Sequence, residues 1–141
     1  MSNDEKQSFI RWQGRTIEQL GFVNNLLIFL ATGMLAFQSQ LAIREISLTI
    51  LDKYTIILST LFIFISLILG CYLALNRLRS FRLTARVARK RETKKREGIE
   101  YLRKKVKTLD KRTWWLLHMQ NVSFGLGALL LVIFAIIHFI K

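Results

Sequence analysis

Residues 77–112 read RLRSFRLTARVARKRETKKREGIEYLRKKVKTLDKR, sixteen Lys or Arg against four acids (Glu92, Glu97, Glu100, Asp110). On both sides of this block the charge stops. No formal charge occurs at 19–43 or 54–76, and only His118 and His138 can titrate in 113–140. About twenty apolar residues at about 1.5 Å each cross a hydrocarbon core of about 30 Å, so each charge-free run is long enough for a membrane-spanning helix. A Lys/Arg-rich loop between two such helices stays on the cytoplasmic side. The pattern predicts an all-α integral membrane protein: three transmembrane helices with a basic cytoplasmic helical hairpin between the second and the third.

Composition points the same way. The 141-residue chain is 52% hydrophobic with a formal net charge of +13, nearly all of it within 77–112. A soluble nucleic-acid-binding domain can be as basic, but it does not carry three uncharged apolar segments. The single cysteine, Cys71, has no intrachain partner for a disulfide and reads as a small packing residue. Proline is absent, so the spans are expected to run straight. The first apolar run covers at least Leu20 to Phe37, longer than a signal-peptide core, and no small-residue cleavage site follows it. It reads as an uncleaved helix.

The expected organisation starts with an N-terminal cytoplasmic or interfacial segment at 1–18, a short helix lying along the membrane surface with Trp12 at headgroup level. A first span at 19–38, an external connection at 39–53 and a second span at 54–75 follow. The basic hairpin occupies 76–113 and the third span 119–140. Within the hairpin, Leu78, Phe81 and Ala85, with Val87 or Ala88, recur at helical spacing, and Ile99, Leu102, Val106 and Leu109 follow a 3-4-3 pattern. The polar stretch 93–98, ending in Gly98, supplies a turn between two arms whose apolar stripes face each other or a neighbouring protomer. Lys6, Arg11, Arg15 and the sixteen block charges are expected inside, with Arg44, Lys53 and Lys141 outside. The N-terminus is therefore cytoplasmic and the C-terminus external, in a bacterial inner membrane.

No nucleophile elbow, P-loop, dinucleotide fingerprint, HExxH or CxxC motif occurs, and no Asp, Glu, Lys or Arg lies inside a span. The chain reads as a non-enzyme without cofactor or metal. Its informative residues are of four kinds. Ser66, Gly70 and Ala74, and Ser123 with Gly127, are small residues four apart that let helices approach closely, within a protomer or between copies. Asn24, Asn25 and Asn121 either tie helices together or, repeated around an oligomer, line a wet path. Arg77, Arg79, Arg82 and Arg112, with Trp114 and Trp115, are placed to meet anionic lipid headgroups. Arg89, Lys90, Arg91, Lys94, Lys95 and Arg96 sit about 20 Å along the hairpin, beyond two screening lengths of about 8 Å. They are expected to meet an acidic cytoplasmic protein or a phosphate-bearing ligand; aromatics are too sparse there for sequence-specific nucleic-acid reading.

Two functions fit these features. One is a small, self-associating membrane effector of the toxin or phage-defence type, which permeabilises or depolarises the membrane when its basic hairpin is engaged. The other is a non-catalytic accessory or scaffold subunit that docks a larger complex through the hairpin.

Overall fold

With no proline to interrupt them, the helices of this chain run long. The computed structural model describes residues 3–43, 49–92 and 98–140, with side chains from residue 18 onward in the first helix. It contains α1 (Asn3–Ile43), α2 (Ile50–Glu92) and α3 (Ile99–Ile140). Each has more than forty residues, about 60 Å of helix. All three are long and apolar enough to cross a membrane, with qualifying stretches at Glu18–Leu41, Ile50–Val87 and Ile99–His138.

Local chemistry fixes two of the helix starts. At α2 the Thr49 N–H donates to the Asp52 carboxylate (3.1 Å), as does the Thr49 hydroxyl, while Lys53 N–H closes the first turn on the Thr49 carbonyl at 3.1 Å. This is the reaching-back half of a capping box, with Asp in the place of the usual Glu. At α3 the chain enters through Gly98 at φ 75°, a left-handed conformation that costs a residue with a Cβ about 1–2 kcal/mol. Leu102 N–H then bonds the Gly98 carbonyl at 3.2 Å.

α2 is the central helix: α3 packs along it, and α1 packs on it with little contact to α3. Neighbours are antiparallel, since Ser59, Ser66, Asn76 and Ser80 of α2 bond progressively earlier residues of α3. The buried positions repeat with a period of 3.5. On α2 they are Asp52, Ile56, Ser59, Ile63, Ser66, Gly70, Leu73 and Asn76, spaced by fours and threes. On α3 the half-buried Ile99, Leu102, Val106 and Leu109 lead in the same register to buried Thr113, Leu116 and Gln120, then to Ser123 and Gly127. On α1 Asn24, Ala31 and Gln38 lie seven apart. Alternating threes and fours keep one seam facing its partner, as in left-handed coiled-coil packing.

This register departs from several expectations. α1 has no break before its apolar stretch, so residues 3–18 continue the first helix instead of forming a separate one; nothing there forbids helix propagation. Cys71 is exposed and does not pack, because the seam passes through Gly70 and Leu73 on either side of it. On α2 beyond Asn76 the seam takes Leu83 and Val87. Leu78, Phe81 and Ala85 point away from it and are exposed. The expected turn residues 93–97, residues 44–48 of the expected connection and Lys141 lie outside the described residues.

The tightest backbone approach is at Gly127. A Cβ there would come within 2.6 Å of Ile63 Cγ1 and 3.2 Å of both the Ile63 nitrogen and the Ser59 carbonyl. Gly125, two residues away, faces open space. Gly127→Leu is therefore expected to destabilise the fold by about 1–3 kcal/mol, the usual cost of overpacking. Gly125→Ala is expected to lose nothing. Thermal unfolding in detergent, followed by circular dichroism, separates the two.

Candidate functional site

Inside the apolar part of the bundle the seam is marked by polar and small residues, and these form three rungs. The outer rung, so called because it is the one farthest from the basic block, links all three helices. Gln38 Nε2 of α1 donates to Ser59 Oγ of α2 at 2.7 Å, and the Ser59 hydroxyl donates to the Gly127 carbonyl of α3 at 2.7 Å. Thr60 completes it, its one hydroxyl proton shared between Gln38 Oε1 at 2.9 Å and the Ile56 carbonyl of its own helix at 2.8 Å. Every side-chain polar atom in this rung has a partner.

The rung nearest the basic block joins α2 to α3. Asn76 Nδ2 donates to Thr113 Oγ1 (2.9 Å) and to the Leu109 carbonyl (3.0 Å). One turn further along, the Ser80 hydroxyl donates to Asp110 Oδ1 at 3.0 Å. Around it stand the arginines. Arg77 lies over the Phe81 ring at 5.9 Å and Arg112 over the Tyr72 ring at 5.2 Å. The Arg77 guanidinium also fills the space beside Gly21, 3.1 Å from where a Cβ would stand. Partial burial pulls Arg77 below the ordinary arginine pKa, and it stays charged at neutral pH.

The middle rung is different. The Ser66 hydroxyl donates to the Gln120 carbonyl at 3.1 Å, but the two amide side chains are poorly satisfied. Asn24 Nδ2 reaches the Gly70 carbonyl only at 3.5 Å, the outer limit of a hydrogen bond. Asn24 Oδ1, Gln120 Nε2 and Gln120 Oε1 are buried with no partner in the protein. Asn24 is 2% exposed and Gln120 0%, so protein surrounds both. Interhelical hydrogen bonds in a membrane contribute about 0.6–2 kcal/mol each, whereas an unpaired buried group costs about 1–3 kcal/mol. The outer rung thus stabilises the bundle and the middle one does not.

Ser66, Gly70 and Gly127 pack within the chain, Gly70 against Ile28 of α1 and Gln120 of α3. Ser123 is half-buried and Ala74 is exposed. Strict steps of four drift off a 3.5-residue seam, which takes Leu73 where Ala74 was expected. Asn24 lies between helices, while Asn25 and Asn121 face outward. Arg79, Arg82, Arg112, Trp114 and Trp115 are exposed, and Lys90 is half-buried. The side chains of Arg89 and Arg91, and residues Lys94, Lys95 and Arg96, lie outside the described residues. Gln38, Asn76 and Thr113 are rung members that the sequence reading did not single out. Their signal was the seven-residue step from Asn24 through Ala31 to Gln38, and from Thr113 to Gln120 and Gly127.

Among the described residues no group of His, Cys, Asp and Glu is placed to hold a metal ion. His138 stacks on Phe134 at 5.7 Å one helical turn away, and His118 is exposed. Comparison with protein-family models, curated proteins and solved structures finds no match to this chain.

The contrast between rungs gives a paired prediction. Ser59→Ala deprives Gln38 Nε2 and the Gly127 carbonyl of their partner and is expected to cost about 1–2 kcal/mol. Gln120→Leu removes two unpaired atoms and is expected to leave stability unchanged or raised. Denaturant unfolding of both variants in detergent tests this.

Proposed function

We propose that the chain is a non-catalytic, three-pass membrane protein that self-associates and permeabilises or depolarises the membrane when its basic segment is engaged. In this reading α1, α2 and α3 cross a bacterial inner membrane with the N-terminus inside and the C-terminus outside. The basic parts of α2 and α3 form the cytoplasmic hairpin, which contacts anionic headgroups near Arg77, Arg79, Arg82 and Arg112 and meets an acidic protein or phosphate-bearing ligand further out.

The observation that carries this reading is the polarity of α3. From residue 100 to 112 its outward side chains are charged or polar apart from Tyr101, and its seam is Ile99, Leu102, Val106 and Leu109. From 114 to 136 the outward side chains are mostly apolar, among them Trp114, Trp115, Val122, Leu126, Leu129, Val132 and Ile136 with His118 and Asn121 between them, and the seam mixes Thr113, Gln120 and Gly127 with Leu116 and Phe134. One unbroken helix with one unbroken seam thus changes its outward face from charged to apolar near Thr113, as an element passing from water into lipid must. A displacement at the hydrated end is transmitted along a continuous helix to a bundle whose middle rung is unsatisfied, which favours an effector with a closed and an open arrangement. The absence of a membrane-depth acid or base argues against proton-driven transport.

The accessory-subunit reading is favoured by one observation: Ser66, Gly70 and Gly127 are occupied inside the protomer and so are not free to pack a second copy. The two readings separate in cells. Induced expression of an effector collapses the membrane potential reported by a voltage-sensitive dye, and Gly70→Leu or Gly127→Leu suppresses the collapse. Unchanged potential on expression of the unaltered chain, together with a monomer or a monomer-plus-partner mass in nanodiscs, would favour the accessory subunit.

A further inference from the structure

The basic parts of α2 and α3 are not evenly charged around the pair. On α2, Arg79 and Arg86 stand one residue before half-buried Ser80 and buried Val87. On α3, Lys105 and Arg112 stand one residue before the seam residues Val106 and Thr113, and all four cations are exposed. A residue before a seam position lies on one flank of a helix, and a residue after it on the other. These flanks of the two helices share a side, because Arg112 lies at 5.2 Å over the ring of Tyr72, which precedes Leu73 of the seam. α1 packs on the opposite side, where Arg77 follows Asn76 and stands beside Gly21. The acids whose side chains are described in this part of the pair are on the opposite flank too. Glu100 follows Ile99, and Asp110 follows Leu109 and accepts from the Ser80 hydroxyl.

The register turns the flank away from α1 into like-charge pairs. The contacts of Asn76 with Thr113 and of Ser80 with Asp110 bring Arg79 opposite Arg112. Seven residues on along α2, and seven back along α3, Arg86 comes opposite Lys105. The two pairs are about 10 Å apart, and half-buried Leu102 and Leu109 lie on the same flank, three residues before Lys105 and Arg112. Charges flanking a coiled-coil seam select its partner, and like charges facing each other repel. We infer that this face docks an acidic amphipathic helix of a different cytoplasmic protein. Acids seven apart on that helix sit between Arg79 and Arg112 at one level and between Arg86 and Lys105 at the next, and its apolar stripe covers Leu102 and Leu109. The 10 Å repeat does not fit nucleic-acid phosphates, which lie closer together. A lipid headgroup can meet Arg112 beside Trp114 and Trp115, but Arg86 and Lys105 are more than a screening length of about 8 Å further out. The chain also lacks an occupant of its own, since its one pair of acids seven apart, Glu45 and Asp52, falls at the other end of α2. The inference rests on the reading above that puts the basic block in water, and it holds for an effector and an accessory subunit alike.

The test is fluorescence anisotropy with synthetic helices against the full chain, in nanodiscs of zwitterionic lipid at low salt. One peptide carries Glu at seven-residue spacing on both flanks of a Leu stripe. A second carries Lys in those places, and a third has the same Glu residues at irregular spacing. The first is expected to bind. Arg79→Glu with Arg86→Glu should weaken it about tenfold or more and let the Lys peptide bind. Lys104→Glu with Lys111→Glu, an equal change of charge on the outermost face of α3, should weaken it less than about threefold. Stability supplies a readout without any peptide: Arg86→Glu faces Lys105 and should raise the thermal midpoint more than Lys104→Glu does. No binding of the first peptide, equal binding of the third, equal losses for the two double variants, or no such rise in midpoint would overturn the docking face. Tighter binding of an oligonucleotide or of anionic lipid through the same arginines would overturn it in favour of a phosphate ligand. A Lys107→Cys, in a Cys71→Ala background, that a charged methanethiosulfonate leaves unlabelled would instead end the reading that puts the block in water.

Discussion

A hydroxyl on an apolar helix can bond the carbonyl four residues back, as Thr32 and Ser39 do. A buried amide finds its hydrogen-bond partners on another helix, and in this chain the buried amides fall on one face of each helix. Gln38 finds Ser59, with the Gly127 carbonyl as the final acceptor. Asn76 finds Thr113. Because those residues all fall on one seam of alternating threes and fours, satisfying them sets the register of α1 on α2 and of α2 on α3. Slipping either pair by one turn would strand several amides and hydroxyls at once. Apolar contacts alone would fix the register less well, since Leu and Ile tolerate sliding more readily than a hydrogen bond does.

The same register governs the small residues. Gly127 is the point of closest approach because Ser59 must reach its carbonyl, and the Ile63 side chain and nitrogen then occupy the space a Cβ would need. Gly70 plays the corresponding part between α1 and α3, but there the amides it admits are left short of partners. The bundle is thus well tied at two levels and loosely tied between them, a distribution suited to local rearrangement without loss of the whole fold.

Much of this was legible in the sequence. Three charge-free runs and the absence of proline led to three long helices, and the 3-4-3 pattern of Ile99, Leu102, Val106 and Leu109 marks the inward side of α3. The first arm of the basic block misled, because Leu78, Phe81 and Ala85 also have helical spacing. They fall on the opposite face from the seam, and only the position of Asn76 against Thr113 decides between the two. Within the apolar runs hydrophobicity marks the outside, so a search for apolar stripes finds the wrong face there. Gln38 and Asn76 carry no local signal, because their partners lie twenty or more positions away. Spacing also failed at Ala74, since a motif of strict fours cannot follow a seam of alternating threes and fours.

The change of the outward face of α3 from charged to apolar is the claim on which the membrane reading stands. Spin labels placed one at a time on its outward face at Lys104, Lys107, Lys111, Val122, Leu126, Leu129 and Ile136, in lipid nanodiscs, report their accessibility to dissolved oxygen and to a water-soluble nickel complex. The account predicts collisions dominated by the nickel complex at the first three positions and by oxygen at the last four, with the crossover near Trp114 and Trp115. Nickel-dominated collisions throughout would contradict it, and would make the exposed apolar face of α3 a protein contact instead of a lipid one.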